Sequence, residues 1–204
     1  NQPQHTYETN GSFDVSLTVT DANGCVATQV LPDLIELDAP DVSLTSDAVP
    51  SCPPLTVNFT GAAQSDTTIV QWEWLFGDGS SATTQNASYI YTQSGNFDVT
   101  LIVVDAKGCT DTLTEPQLVT IFDRPVADFA VSDSGICVPA TISLTDTSTS
   151  AGVPIVSYTY DVSGGGQFNI PNPSIAFNTA GAYTIQQIIE DVNGCRDTAT
   201  QNID

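Results

Sequence analysis

Residues 89–109 read YIYTQSGNFDVTLIVVDAKGC, and this stretch decides the fold. From Phe97 to Val103 every second residue is apolar. Alternation with a period of two is typical of a β-strand that packs one face inward. Turn signals stand on both sides of it, Ser94-Gly95-Asn96 before and Lys107-Gly108 after. The stretch therefore predicts a strand bounded by two turns.

The same pattern occurs twice more in the chain. Residues 5–25 read HTYETNGSFDVSLTVTDANGC, and residues 175–195 read IAFNTAGAYTIQQIIEDVNGC. The cysteines that end the three stretches, Cys25, Cys109 and Cys195, lie 84 and 86 residues apart (109 − 25 and 195 − 109). Self-similarity at a fixed period indicates a tandem array.

A second landmark repeats with nearly the same period. SCPPLTVNF around Cys52 matches ICVPATISL around Cys137, 85 residues later (137 − 52). We therefore divide the chain into residues 1–39, the C-terminal half of a repeat, residues 40–124, a complete repeat, and residues 125–204, a complete and more divergent repeat. The front half of the first repeat would lie before residue 1.

The middle repeat is predicted to contain seven strands. They are placed at about 42–46, 55–60, 69–76, 80–84, 88–92, 96–104 and 110–121. Short strands at this spacing, separated by turn signals, indicate a β-sandwich. A small barrel is the alternative.

The composition limits the function classes. Among 204 residues, 24 are acidic and 3 are basic, which gives a net charge of −21. Three cations cannot form the basic clusters that nucleic acid or an anionic membrane surface requires. No apolar run reaches the roughly 18 residues of a membrane span, so we expect no membrane insertion.

The middle repeat resembles the PKD (polycystic kidney disease) domain, whose hallmark is an aromatic strand that runs into a Phe-Gly-Asp-Gly turn. The residues that carry the resemblance are Trp74, Phe76, Gly77, Asp78, Gly79, Tyr91 and Gly95. In the third repeat the turn aspartate is lost. The resemblance implies an all-β fold of tandem immunoglobulin-like sandwiches that serve as spacers and adhesion modules.

Each motif residue has a structural interpretation. Trp74 and Phe76 lie two apart on one strand, so both should anchor the core. Gly77 and Gly79 permit positive φ. We interpret Asp78 as a turn cap that accepts backbone N–H groups, in preference to a catalytic acid or a calcium ligand.

The cysteine landmarks also resemble those of PKD repeats in very long adhesins of gliding bacteria that use the type IX secretion system. That resemblance implies an extracellular, cell-surface segment of a gliding-motility adhesin. Its partners would be neighbouring repeats of the same polypeptide or other copies in a filament. An extracellular chain with one cysteine at each of two landmarks favours disulfides over a metal site.

In an immunoglobulin-like sandwich consecutive strands alternate in direction. Cys52 would then lie at the end that faces the next repeat, near Cys195, and Cys109 would lie at the opposite end. A six-residue strand spans about 20 Å, whereas bonded cysteines have Cα atoms about 5.5 Å apart. The preferred disulfide is therefore Cys52 with Cys195. The alternative is a set of two disulfides, one between Cys52 and Cys109 and one between Cys137 and Cys195.

Three Asp-Thr pairs resemble the O-glycosylation signal of the same bacterial group. The candidate acceptors are Thr67, Thr112 and Thr198. Ordinary threonines on an exposed strand face are the structural alternative, because threonine has a high β-propensity.

Two pairs of aspartates near the linkers are candidate calcium ligands. Asp38 and Asp41 lie at one linker, and Asp123 and Asp128 lie at the next. No stretch matches an EF-hand loop. The acidic composition is explained more simply by solubility of the array.

The chain carries no catalytic signature. His5, the single histidine, matches no nucleophile motif, and neither Gly-x-Ser-x-Gly nor a phosphate loop occurs. The preferred function is a structural segment of an adhesin or filament. A carbohydrate-binding accessory module, which would use Trp72, Tyr89 and Tyr158 to bind surface polysaccharide, and a spacer of a large secreted hydrolase are the alternatives.

Overall fold

The computed structural model describes residues 3–9, 11–133 and 137–204, and within these ranges every regular element is a β-strand. The strands are β1 (Gly11–Thr20), β2 (Val26–Leu37), β3 (Asp41–Ser46), β4 (Leu55–Gln64), β5 (Ile69–Leu75), β6 (Ser81–Ala82), β7 (Asn86–Tyr91), β8 (Gly95–Asp105), β9 (Thr110–Ile121), β10 (Phe129–Val131), β11 (Ala140–Asp146), β12 (Ile155–Val162), β13 (Gly166–Phe168), β14 (Ser174–Phe177), β15 (Tyr183–Asp191) and β16 (Arg196–Ile203). The described residues include no helix that could cross a membrane. The all-β fold class is confirmed.

Two compact units make up the chain. One contains the residues up to Ser46 together with Phe59–Ala87 and Asp98–Pro116. The other contains Asp47–Asn58, Ser88–Phe97 and Gln117–Asp204. The middle repeat contributes strands to both units. The repeat boundaries at residues 39 and 124 stay a prediction.

The first repeat consists of a two-stranded antiparallel hairpin. Strand β1 pairs with β2 from Gly11 opposite Leu37 to Thr20 opposite Val26, with a bulge between Phe13 and Val15. Its apolar residues remain largely accessible, because two strands cannot enclose a core.

The middle repeat has two sheets, ordered β3-β4-β7 and β6-β5-β8-β9. All seven predicted strands are present. Two strands, β4 and β6, differ from the prediction by three residues or more in length. Strand β4 extends to Gln64 because its last residues stay paired with β3, where Gln64 lies opposite Asp41. Strand β6 shrinks to Ser81–Ala82, which pairs with the end of β5.

Aromatic residues join the two sheets of the middle repeat. The ring of Phe59 on β4 lies 5.5 Å from that of Trp74 and 5.4 Å from that of Phe76. Trp74 is fully buried, and its indole N–H donates to the Thr84 carbonyl at 2.9 Å. A buried indole needs such a partner. The two motif aromatics therefore anchor the core, as expected.

The Phe-Gly-Asp-Gly turn has the expected geometry. The Phe76 N–H donates to the Ser80 carbonyl at 3.1 Å, and the Ser80 N–H donates to Asp78 Oδ1 at 2.9 Å. Gly77 and Gly79 have φ values of +84° and +91°. Asp78 thus accepts a backbone hydrogen bond inside the turn.

The third repeat has sheets ordered β10-β11-β14 and β13-β12-β15-β16. Tyr160 stands where the middle repeat has Trp74, and it is likewise fully buried. Its hydroxyl donates to the Pro171 carbonyl at 3.0 Å and accepts from the Gln187 amide at 2.9 Å. Burial, followed by the charge of Asp146, raises the pKa of Tyr160 to about 12. The core position is kept while the side chain changes.

All three repeats share an aromatic pair, in which one ring lies just before the turn that precedes β1, β8 or β15 and the other lies at the start of that strand. The ring pairs are Tyr7 with Phe13 at 4.7 Å, Tyr91 with Phe97 at 4.7 Å, and Phe177 with Tyr183 at 4.6 Å. Gly95 allows the middle pair to form. It has a φ of +149°, and a Cβ there would lie 3.3 Å from the Phe97 ring.

Candidate functional site at the cysteine turns and the disulfide

Each Asp-x-x-Gly-Cys segment folds into the same turn. In the middle repeat, Asp105 Oδ1 accepts the N–H of Lys107 at 2.9 Å and of Cys109 at 2.8 Å. The Asp105 N–H donates to the Cys109 carbonyl at 2.9 Å, and the Gly108 N–H donates to the Asp105 carbonyl at 3.0 Å. A short carboxylate that accepts nearby backbone N–H groups is a common way to close a turn.

The other two turns repeat these bonds. Asp21 Oδ1 accepts the N–H of Asn23 and of Cys25, both at 2.8 Å. Asp191 Oδ1 accepts the N–H of Asn193 and of Cys195, both at 2.9 Å. Sequence reasoning did not assign a role to these aspartates, although the repeated Asp-x-x-Gly-Cys spacing was the signal that could have found them.

The turn geometry lowers the pKa of two of these aspartates, Asp105 and Asp21. Burial raises the pKa of Asp105, but hydrogen bonds from the Cys109 N–H, the Thr67 hydroxyl and the Lys107 N–H outweigh it. The pKa of Asp105 therefore lies below its ordinary value of 3.8. The Cys25 N–H, followed by the Asn23 N–H, lowers the pKa of Asp21 in the same way. Hydrogen bonds to the ionised form favour that form.

The second carboxylate oxygen distinguishes the turns. Asp105 Oδ2 accepts the Thr67 hydroxyl at 2.9 Å. Asp191 Oδ2 is buried and has no hydrogen-bond partner among the residues that the structure describes. The Ala106 N–H donates to the Thr68 carbonyl and the Val192 N–H to the Pro154 carbonyl, which aligns Thr67 with Val153. Because valine has no hydroxyl group, Val153 cannot donate a hydrogen bond to Asp191 Oδ2.

The structure contains a disulfide between Cys52 and Cys195, which is the preferred pairing. The S–S distance is 2.01 Å, and the Cα atoms are 5.5 Å apart. Cys25, Cys109 and Cys137 are free thiols, so neither bond of the alternative pairing is present. Both bonded cysteines lie within one compact unit.

Hydrogen bonds hold the Cys52 segment against the start of the linker. Ser51 forms a parallel bridge with Ile121, and its carbonyl accepts the Phe122 N–H at 2.9 Å. The Arg124 guanidinium donates to the Pro53 carbonyl. One of the three basic residues in the chain thus serves to position the disulfide segment.

In the middle and third repeats, a second aspartate ties the last strand to the segment that begins the repeat. Asp111 Oδ2 accepts the Val42 N–H at 2.9 Å, and Asp197 Oδ2 accepts the Ala127 N–H at 2.8 Å. These are the aspartates of two of the Asp-Thr pairs. The pairs therefore have a structural role that does not depend on glycosylation.

The three candidate glycosylation threonines differ in accessibility. Thr112 on β9 and Thr198 on β16 are exposed at equivalent places. Thr67 is partly buried, and its hydroxyl is bonded to Asp105. A glycan on that oxygen would remove the hydrogen bond.

Of the calcium candidates, Asp38 and Asp41 line one groove together, whereas Asp123 and Asp128 bond to different hydroxyl groups. Asp38 and Asp41 line a groove of about 380 Å³ with Asp66. Asp123 accepts the Ser94 hydroxyl, and Asp128 accepts the Thr147 hydroxyl at 3.0 Å. In the described part of the chain no three His, Cys, Asp or Glu side chains form a group that could hold a metal ion.

The carbohydrate-binding candidates do not form an exposed aromatic row. Trp72, Tyr89 and Tyr158 are each partly buried. Trp72 packs over Gly61, where a Cβ would lie 3.0 Å from the indole ring. The Tyr89 ring makes an edge-to-face contact with Tyr91 at 4.9 Å. His5 packs edge-to-face on Tyr7 at 4.6 Å, which is a packing role.

Comparison with known proteins agrees with this architecture. Residues 38–121 and 122–204 each match the family described as PKD domain. Pre-pro-metalloprotease PrtV of Vibrio cholerae is 29% identical over 147 residues, which is 68% of this chain and 15% of that protein's length. The chain thus spans only a small part of the curated relative.

Two solved structures are similar as well. The PKD1 domain of the Vibrio cholerae metalloprotease PrtV is 28% identical and covers 40% of this chain and 95% of its own, with a TM-score of 0.36. The PKD1 domain of Vibrio anguillarum Epp is 28% identical and covers 41% and 95%, also with a TM-score of 0.36. Because the two family matches together span residues 38–204, the chain belongs to the PKD domain family.

Proposed function

We propose that this chain is a non-catalytic structural segment of a long secreted cell-surface adhesin or filament, where it extends and stiffens the array. The observation that carries the proposal is the Cys52–Cys195 disulfide, which joins positions of successive repeats 143 residues apart in sequence. Disulfides persist outside the reducing cytosol, which supports an extracellular location. The resemblance of the cysteine pattern to type IX-secreted adhesins of gliding bacteria supports the same context.

The bond changes the path that a pulling force takes. A force applied at the two ends of the chain reaches Cys52 and passes through the disulfide to Cys195. The 143-residue segment between them is bypassed, so its strands are not extended even if they unfold. A covalent bypass of this kind limits how far the segment can lengthen.

The net charge supports the same role. With a charge of −21, neighbouring copies repel one another and the array stays soluble. A module that must remain extended next to identical modules benefits from that repulsion.

Single-molecule pulling tests the proposal. The chain is held at both ends and stretched under oxidising and then under reducing conditions. Reduction should add about 480 Å of extensible length, because 143 residues at about 3.4 Å each are released. Cys52→Ser should behave as the reduced chain without reductant, and Cys25→Ser should behave as the oxidised parent. Equal lengths before and after reduction would contradict the bypass.

A spacer of a secreted hydrolase is the second candidate, and the similarity to metalloprotease PrtV favours it. The same mechanics would then hold a catalytic domain away from another part of its protein. Reading the complete coding sequence distinguishes the two candidates. A catalytic domain in the same polypeptide selects the spacer, and further PKD repeats without one select the adhesin.

O-glycans on Thr112 and Thr198 are part of the same proposal. Their exposure at equivalent places on β9 and β16 supports it. The intact mass of the natural protein should exceed that of the polypeptide, and Thr112→Val with Thr198→Val should remove the excess. A natural mass equal to that of the polypeptide would contradict it.

A further inference from the structure

A polar cluster lies in the core of the third repeat. Gln187 on β15 is fully buried, and its amide donates to Asp146 Oδ1 at 2.8 Å and to the Tyr160 hydroxyl at 2.9 Å. The Ser148 hydroxyl donates to the same Asp146 oxygen at 2.6 Å. All four residues belong to one compact unit. The partners of the buried amide thus come from the front half of the repeat, β10 to β14, whereas Gln187 belongs to the back half, β15 and β16.

The middle repeat has a leucine where the third repeat has this glutamine. In the paired strands Gln187 lies opposite Tyr160, and Leu101 lies opposite Trp74. Leu101 and Trp74 are both fully buried. The back-half residue therefore changes from leucine to glutamine together with its front-half neighbour, which changes from tryptophan to tyrosine.

The position of the carboxylate changes as well. Asp146 on β11 and Gly61 on β4 take the same register position, 85 residues apart (146 − 61). By the same offset Ser148 corresponds to Ala63 (148 − 63). Four core positions thus differ together between two repeats whose sheets have the same strand order.

Stability alone does not call for such a cluster. Replacing buried charged and polar groups by well-packed apolar ones is often neutral or stabilising, and the middle repeat builds the same fold on an apolar set. Removing one partner of a buried polar pair is different, because the other partner is left without its hydrogen bond. A buried polar residue can select one pairing over another in this way.

The two kinds of core do not fit each other. A back half with Gln187 on a front half of the middle type would find no side chain at Gly61 and no hydroxyl on Trp74, so its amide would be buried unpaired. A back half with Leu101 on a front half of the third type would meet the Asp146 carboxylate. In the middle repeat a Cβ at position 61 would already lie 3.0 Å from Leu101 Cδ2, so a full aspartate side chain has no space there.

We propose that Asp146, Ser148, Tyr160 and Gln187 form a pairing signal, by which the back half of the third repeat selects its own front half and rejects front halves of the middle type. The rejected partners are the middle repeats of the same chain and of neighbouring copies. Exchange of parts between similar units is a characteristic misfolding route of repeat proteins. The signal decides which segments pair, so the inference goes beyond the mechanical role and does not depend on it.

Two single substitutions imitate the two wrong pairings in the full chain. Gln187→Leu places a leucine against Asp146, and Asp146→Gly leaves the Gln187 amide without its carboxylate. Each should lower the midpoint of urea unfolding. The double variant should recover part of the loss, because leucine and glycine match each other as they do in the middle repeat. A loss in the double variant equal to the sum of the two single losses would overturn the proposal.

Gln186→Leu is the matched control for these variants. Gln186 is the neighbour of Gln187 on β15, but it lies on the other face of the sheet, opposite Asp161 and Thr200. Its effect on the urea midpoint should be the same with and without Asp146→Gly. Coupling as large as that of Gln187→Leu would overturn the proposal, because the selection would then not depend on the core contact.

Refolding measures the selection itself. A quadruple variant, Asp146→Gly with Ser148→Ala, Tyr160→Trp and Gln187→Leu, gives the third repeat the residues of the middle repeat at all four places. The parent and the variant are unfolded with a reductant and refolded in a glutathione redox buffer over a range of protein concentrations. The parent should return as a monomer in which only the three free thiols react.

The variant should give several-fold less monomer at high than at low protein concentration, and its oligomers should contain disulfides between molecules. Its halves then fit those of the middle repeats in other copies. A monomer yield equal to that of the parent at every concentration would overturn the proposal. A variant that stays unfolded at every concentration would also overturn it, because the cluster would then be required for stability and not for selection.

Discussion

A single aspartate accepts the backbone hydrogen bonds that close each Gly-Cys turn. At Asp191 one carboxylate oxygen lacks a hydrogen-bond partner in the described part of the chain. Its Oδ2 atom is buried without a partner among the described residues, where Asp105 Oδ2 has the Thr67 hydroxyl. An unpartnered buried acceptor costs free energy that a correctly placed hydroxyl can recover. The difference between the two repeats is the change from threonine to valine at position 153.

We therefore expect Val153→Thr to stabilise the protein. The new hydroxyl can donate to Asp191 Oδ2, which should raise the free energy of unfolding by about 1 kcal/mol. Equilibrium urea unfolding measures it. Val156→Thr is the control, because Val156 is 58% exposed and its new hydroxyl gains nothing over water. A loss of stability at position 153 equal to or larger than that of the control would contradict the assignment.

The lowered pKa of Asp105 gives a pH prediction. A carboxyl whose pKa is lower in the folded than in the unfolded state stabilises the fold above the unfolded pKa, and this stabilisation is lost as the pH falls through the folded pKa. The stability advantage of the parent over Asp105→Asn should therefore be complete at neutral pH and shrink below pH 3.8. Thermal melting of both proteins across this range measures it.

Asp66→Asn is the control for that series. It removes one charge from an exposed side chain, so it reports the general effect of charge on melting. A parent advantage over Asp105→Asn that stays constant from neutral pH to about pH 2 would show that the turn does not favour the ionised carboxylate.

At the scale of the element, the same strand sequence behaves differently with and without a second sheet. Val99, Leu101 and Val103 on β8 are fully buried. On β1 the corresponding face is open, and Leu17 is 65% exposed. The contribution of each leucine to the stability of the fold therefore depends on how deeply it is buried, since the side chain is the same.

Matched truncations test this difference. Leu101→Ala should lower the free energy of unfolding by about 2–5 kcal/mol, because it leaves a cavity between the sheets. Leu17→Ala should change it by no more than about 0.5 kcal/mol, because no core surrounds that side chain. Chemical unfolding of both variants is the measurement. Equal effects at the two positions would mean that the hairpin face is covered in solution.

At the scale of the whole molecule, the Cys52–Cys195 bond is the main covalent constraint on unfolding. It closes a loop of 143 residues in the unfolded chain. In the chain-entropy account, such a loop is worth about 5 kcal/mol. The strands of the middle and third repeats that lie inside this loop share that stabilisation.

Removing the bond should therefore lower the melting temperature substantially. Cys52→Ser should melt well below the parent, and the parent in the presence of a reductant should approach the same value. Cys137→Ser should melt with the parent, because Cys137 is an exposed free thiol. Calorimetry of the parent, Cys52→Ser and Cys137→Ser measures the three melting temperatures. A Cys52→Ser midpoint equal to that of the parent would contradict the prediction.

The sequence alone was enough to predict the repeat, the strands of the middle repeat and the preferred disulfide. Period-two alternation and turn residues are local signals, so they place β8 and β9 without knowledge of the partners. The predicted end of β4 was too early, because Gly61–Gln64 lack a local strand signal and are held in the strand by pairing with β3.

Only the tertiary structure decided the roles of the aspartates and the state of the hairpin. Asp111 accepts the N–H of Val42, 69 residues away, and Asp197 accepts that of Ala127, 70 residues away. Neither partner can be identified from a local pattern, because a hydrogen bond needs atoms that only the folded chain brings together. Burial of Leu101 and exposure of Leu17 follow for the same reason, since nearly identical strands differ only in whether a second sheet lies over them.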